Sequence, residues 1–168
     1  MKINRYDLLE HSAVMNQMRN AVAHLVRFMI NNYVDDVIER LQRMGKNIAR
    51  TYVKYWKPTD SVDLNNLKDG IATIYKNIVN STVQVEITSD KYVIITDRKC
   101  SLCKYKYEDL ELAGCDILLG LVPEMINQIN AKSKNNSKLR LTPIKVSESK
   151  GYGHQRCVQI LKYSLGGA

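Results

Sequence analysis

Apolar residues in the first third of the chain recur every three or four positions, the mark of helices with one face turned inward. Met15, Met18, Val22, Leu25 and Met29 share such a face and predict a helix over residues 8–29. After Asn31 and Asn32 the period resumes through Val34, Val37, Leu41, Met44, Ile48, Tyr52 and Tyr55, with Gly45 marking either a break or a close helix contact. Pro58 closes this unit, because its ring cannot continue a helix. A third helix is predicted from near Ser61, with Leu64, Leu67, Ile71, Ile74 and Ile78 on its inner face.

At Asn80 the period changes from helical to alternating. Residues 82–88 and 91–96 read as two strands of a hairpin about Ser89-Asp90. A helix is predicted again over 113–131, with Ile117, Leu118, Leu121, Met125 and Ile129 inward and Pro123 as a kink or a start. A polar turn over 132–137 leads to two last strands, 139–148 and 154–164, joined at Gly151-Tyr152-Gly153. The order predicts an α+β fold: N-terminal helices packed on a small antiparallel sheet of two hairpins, with a long helix between them. Residues 1–168 read as one domain, helical over 1–80 and hairpin–helix–hairpin over 81–168.

Composition adds limits. With 45% hydrophobic and 25% charged residues, the chain has the make-up of an ordinary globular protein. It lacks a long apolar run of membrane-spanning length, and the segment Met1-Lys2-Ile3-Asn4-Arg5-Tyr6-Asp7 lacks the apolar core of a secretory signal. A cytoplasmic setting follows as the expectation. The net charge of +8 raises the question of a polyanion partner. Arg40, Arg43, Lys46, Arg50 and Lys54 recur at helical spacing, and Lys132, Lys134 and Lys138 surround a turn. Read as solvated faces, these residues do not indicate nucleic acid. Met15, Met18, Met29 and Met44 read first as core or dimer interface and second as the lining of an apolar pocket.

No catalytic constellation is visible in the sequence. The histidines are His11, His24 and His154, and His24 reads as a satisfied structural residue. Gly151-Tyr152-Gly153 lacks the further glycine and following helix of a phosphate-cradling loop. The chemistry rests with four cysteines: the pair Cys100-Ser-Leu-Cys103, then Cys115, then Cys157. The pair follows one predicted strand, Cys115 opens an apolar stretch and Cys157 lies in the last strand. Metal binding, disulfides and ordinary burial are all open on spacing alone. Redox catalysis is disfavoured, because the pair does not sit at a predicted helix N-terminus, where a thiol is activated. If the elements meet, four thiolates can surround one ion, the usual composition of a closed structural zinc site.

Two segments carry a resemblance. Cys115-Asp-Ile-Leu-Leu-Gly120 is similar to a cysteine followed by a glycine-bearing helix, and Gly153-His154-Gln-Arg-Cys157 with Val158, Ile160 and Leu161 is similar to a terminal glycine–cysteine–strand signature. Both resemble the vinyl reductase (hydrocarbon-binding) domain family, whose fold is shared with TRAPP vesicle-tethering subunits and haem nitric-oxide sensors. In the zinc-containing sensors of that family, a cysteine at the helix, a glutamate, a further cysteine and the terminal cysteine hold the ion. Cys115 and Cys157 match the first and last; Val146 and Ser149 stand at the middle positions, and Glu148 is out of register. The resemblance therefore implies a zinc site in which Cys100 and Cys103 replace the missing pair. It further implies a hydrophobic small-molecule binding module, sensory or regulatory, that forms a homodimer through its N-terminal helices. The alternative is a TRAPP-like scaffold subunit, and a reductase is a more distant one.

Overall fold

The computed structural model describes residues 5–133 and 138–166, with nothing said of the side chains of residues 5–12. The turn expected over 132–137, with Lys134, lies mainly outside the described residues, as do residues 1–4 and the side chain of His11. Three helices come first: α1 (Arg5–Asn31), α2 (Val37–Tyr52) and α3 (Leu67–Val79). Then follow β1 (Val83–Ile87), β2 (Tyr92–Asp97), α4 (Asp116–Lys132), β3 (Leu139–Glu148), a 3-10 turn (Lys150–Tyr152) and β4 (Cys157–Leu165). The α+β fold expected from the pattern is the fold observed.

The four strands form one antiparallel sheet in the order β1-β2-β4-β3. The last strand therefore lies between the two hairpins' outer strands and joins them, with Asp97 of β2 opposite Cys157 of β4. Alternation sends Val93, Ile95 and Asp97 of β2 and Cys157, Gln159 and Leu161 of β4 to the inner face. Ile71, Ile74 and Tyr75 of α3 and Leu118, Met125, Ile126 and Ile129 of α4 fill the layer above them.

α4 is buried on nearly every side because α2 covers the surface turned away from the sheet. The α2–α4 contact explains Gly45. A Cβ on Gly45 would stand 1.9 Å from the Ile117 carbonyl oxygen, and one on Gly120 would stand 2.0 Å from the Gln42 carbonyl oxygen. Each helix thus presents a bare backbone to the other, the close-contact reading of Gly45 rather than a break. Two asparagines then fasten α4 to the edge strand. Asn127 donates to the Leu141 carbonyl and accepts from the Leu141 N–H, both at 2.9 Å. Asn130 accepts from the Val62 N–H at 2.8 Å and donates to the carbonyls of Val62 and Leu139.

Four expectations need correction. The inner line of α1 is Arg19, Ala23, Val26 and Met29, whereas Met18 and Leu25 face outward. The face is rotated because Arg19 is drawn inward, its guanidinium donating to the Ser101 carbonyl at 2.6 Å. On α2 the buried residues are Leu41, Gly45 and Ala49, with Ile48 and Tyr55 exposed, since a close backbone approach selects small side chains. α3 starts at Leu67 rather than near Ser61, because the Asp63 carboxylate accepts from the N–H groups of Asn65 and Asn66 and holds a turn there. His24, expected as a structural histidine, is exposed.

Candidate metal centre

The four cysteines reach one place from four points of the chain. Cys100 and Cys103 lie in the loop that leaves β2, Cys115 caps the N-terminus of α4, and Cys157 opens β4. The pairing of Asp97 with Cys157 sets the loop's departure point beside the start of β4. Two glycines let the backbone crowd in: a Cβ on Gly114 would stand 2.6 Å from the Leu102 carbonyl oxygen, and one on Gly151 would stand 2.0 Å from that of Leu112.

All four Sγ atoms lie within 4.8 Å of one another, and all four residues are buried, at 2% exposure or less. Thiolates held at about 2.3 Å around one tetrahedral ion are about 3.8 Å apart. The Sγ atoms, none more than 4.8 Å from another, are thus close enough to surround one ion. The cysteines are free thiols, so the disulfide arrangement is not the one adopted.

The surroundings are built for sulfur that carries charge. The Cys115 N–H donates to Cys103 Sγ at 3.3 Å, and the Lys150 N–H donates to Cys157 Sγ at 3.4 Å. The N-terminus of α4 directs its positive end at the same point. Ser149, fully buried, has its Oγ 3.9 Å from Cys115 Sγ and 3.8 Å from Cys157 Sγ, and that oxygen accepts from the Gly151 N–H at 3.1 Å. Ser149, aligned in the resemblance with a missing ligand, here touches two of the thiols. Val146 lies further along β3 opposite Gln159, and Glu148 is engaged by Arg156 at 2.9 Å.

Proton equilibria within the cluster are strongly split. Hydrogen bonds from Cys100, Cys115 and Cys157 hold the Cys103 thiol far below its usual range. Its bond with Cys103 pushes Cys100 well up, and its bonds with Cys100 and Cys103 do the same to Cys115. Neighbouring acids are raised as well. Burial, then the Cys103 charge, pushes Asp116 up to about 7, and burial, then Asp116 and the cysteines, pushes Tyr152 up to about 12. Burial is also the first cause at Tyr75, followed by Cys100 and Cys115. Cys103 is thus the one thiol of the cluster favoured as a thiolate, while burial and its charge keep Cys100, Cys115 and Tyr152 neutral, so the metal-free space resists further negative charge. A divalent cation is the species that would allow all four thiols to ionise together.

Sequence reasoning named all four cysteines, and the structure brings all four together. It named Gly120 within the helix segment and Gly151 within a turn and passed over Gly114, but missed the close contacts of all three, which depend on backbones distant in the chain.

No protein-family profile matches the sequence, and no curated protein resembles it closely enough to be a recognised relative. Solved structures do match in fold. One is a trafficking protein particle complex subunit 3 from Naegleria fowleri, crystallised covalently bound to palmitic acid. The two chains superpose with a TM-score of 0.66 at 12% identity, over 90% of this chain and 96% of the other. The chain shares the TRAPP-subunit fold, as the resemblance implied.

Proposed function

We propose that this chain is an assembly module of the TRAPP-like fold, a single domain whose sheet is stapled by zinc on Cys100, Cys103, Cys115 and Cys157. It joins other chains, a second copy first, through its N-terminal helices. The observation that carries the assembly reading is the exposed row on α1: Val14, Met18, Leu25 and Phe28 are 47%, 46%, 41% and 62% exposed. Such a row at helical spacing on the surface marks a protein-binding face. Residues 13–34 contain two charged side chains, Arg19 and Arg27, and both are engaged: Arg19 is buried and Arg27 pairs with Asp109 at 2.6 Å. In a chain of net charge +8, this uncharged row is the face on which two copies meet with least repulsion.

Sedimentation of the purified protein tests this reading. A dimer that L25E or F28E converts to a monomer, with the melting temperature of the monomer fold kept, is the expected result. A monomer at all concentrations, with no partner chain retained in its native complex, would overturn it. For the staple, metal analysis after purification without added zinc should give about one equivalent per chain; well under one rejects the site. Four reduced thiols in a metal site suit a cytoplasmic setting.

A second reading, binding of a hydrophobic small molecule, draws support from the palmitic acid on the structural neighbour. This is the role expected of a vinyl reductase-type domain, and the placement of Cys115 before α4 and Cys157 in β4 accords with that kinship. An acyl thioester here would have to use one of the four clustered cysteines. Metal ligation and acylation are therefore exclusive at any given thiol. Native and denaturing mass spectrometry separate them: an ion lost on denaturation against an acyl increment that survives it.

A further inference from the structure

Where β2 ends and β4 begins, a cavity of about 570 Å³ is lined by Arg98, Glu148, Gly153, His154, Gln155 and Arg156. Cations reach it from distant parts of the chain. Lys106 of the cysteine loop brings its Nζ to 3.6 Å from the point where a Cβ on Gly153 would stand. Lys150 donates its Nζ to the Arg98 carbonyl at 3.4 Å. Against these stands the Glu148 carboxylate, and both of its oxygens are already taken by Arg156. Arg98, Lys106 and Lys150 have no ion-pair partner among the described residues.

The backbone leaves these charges little room to separate. Arg98 follows the paired residue Asp97, and Arg156 precedes Cys157 in the same rung. Gly153 turns the chain with a φ of 93°, and the His154 N–H is fixed on the Ser149 carbonyl at 3.0 Å. Arg98 and an imidazole therefore line one concave surface beside the Arg156–Glu148 pair, with Lys106 next to Gly153 and Lys150 on the Arg98 carbonyl at its edge, and a bound anion relieves the repulsion of the unpaired cations. A phosphate, with close to two charges and three acceptor oxygens, matches this set better than a singly charged carboxylate. The volume is of small-molecule size and exceeds that of a bare phosphate, leaving space for an organic substituent. His154 is the one aromatic ring in the lining, and its Nδ1 is held against the Ser149 backbone; the lining has no Phe, Tyr or Trp to serve as the stacking platform that single-stranded nucleic acid uses.

We propose that this cavity binds the phosphate group of a phosphorylated small molecule or lipid headgroup, with Arg98, Lys106 and Lys150 as its anchors. The site goes beyond the assembly reading and lies apart from the α1 face. Calorimetry on the whole protein at low salt tests it, with inorganic phosphate, a soluble inositol trisphosphate and phosphatidylcholine vesicles containing phosphatidylinositol 4-phosphate as probes. R98E and K106E, both at exposed positions, should each weaken binding by about tenfold or more, while K54E, beyond the end of α2, should not. Binding of the soluble probes assigns a free ligand; binding of the vesicles alone assigns a headgroup. Absence of binding to every probe, an equal loss in K54E, or tighter binding of a random oligonucleotide with the same mutational losses would overturn the proposal.

Discussion

Helices α1 and α4 are the two longest in the molecule, and they are held in opposite ways. α4 lies between α2 and the sheet, fixed by bare-backbone contacts at Gly45 and Gly120 and by the amide clamps of Asn127 and Asn130. α1 turns a narrow line inward and a wide apolar row outward, and polar ties account for much of its attachment. Arg19 donates to the Ser101 carbonyl and stacks 5.3 Å from the Tyr105 ring; Arg27 pairs with Asp109 and stacks 5.2 Å from the Tyr107 ring. Ser101, Tyr105, Tyr107 and Asp109 all belong to the loop that carries Cys100 and Cys103. α4 is thus fixed by the main core, while α1 is held by a small apolar cluster of Ala23, Val26 and Met29 with Leu41, Leu110, Leu112 and Ile117 and by polar ties to the loop that carries Cys100 and Cys103. The difference divides the molecule into a scaffold and an attached helix with an exposed apolar row.

The largest effect should come from breaking the cluster, since it serves both helices. C103S, or a strong chelator acting on the proposed metal site, should lower stability by on the order of 5 kcal/mol, because binding energy at a structural site is folding energy. Hydrogen exchange should then accelerate along α1 as well as in the cysteine loop. Exchange that rises in the loop while α1 stays protected would break the link between the two.

Next come the glycines of the scaffold. G120A places a methyl 2.0 Å from the Gln42 carbonyl oxygen, a backbone atom that can yield only if the helices part. The expected loss is about 4 kcal/mol, the upper end for overpacking. Gly70 on α3 is the control. A Cβ there would meet the Val62 side chain at an ordinary 3.8 Å, so G70A should be neutral or stabilising by about 0.5 kcal/mol. Denaturant melts of the two variants check both values, and similar losses would show that the close approach is not what fixes α4.

How far the sequence revealed this division depends on the kind of contact. All four strands were legible to within a few residues of their ends, β1 and β2 most plainly because their side chains alternate between a core and solvent. The cysteines were legible as a set, since four thiols in one chain with a paired spacing have few uses. The inner face of α1 was not legible. An arginine is buried there by a carbonyl 82 residues away, and methionine and leucine face outward, reversing the usual signs. The insertion of β4 between β2 and β3 leaves no local trace, and neither does the pairing of two glycines from separate helices. The cavity at the end of the sheet was hidden for the same reason. The cations that line it come from positions 98 and 156, those at its edge from 106 and 150, and together they form no run in the chain.

The smallest effect is the one that compares the two attachments directly. Arg27–Asp109 ties α1 to the loop, and Arg50–Glu124 ties α2 to α4, with N–O distances of 2.6 and 2.7 Å. R50A should cost no more than about 1 kcal/mol and leave exchange in α2 and α4 nearly unchanged, because the glycine contacts remain. R27A should scarcely change the global melt, yet should speed exchange along α1. The pH dependence follows from the pair. The Arg27 guanidinium holds the Asp109 carboxyl below its usual value of 3.8. A depressed carboxylate contributes fully above that value and loses its contribution as pH falls through its lowered folded value. Protection of α1 should therefore decline in that acid window in the wild type and be weaker at every pH above it in R27A. Added salt should act in the same direction, since the pair is exposed. Equal responses of α1 and α2 to their respective substitutions would mean that the two helices are held alike.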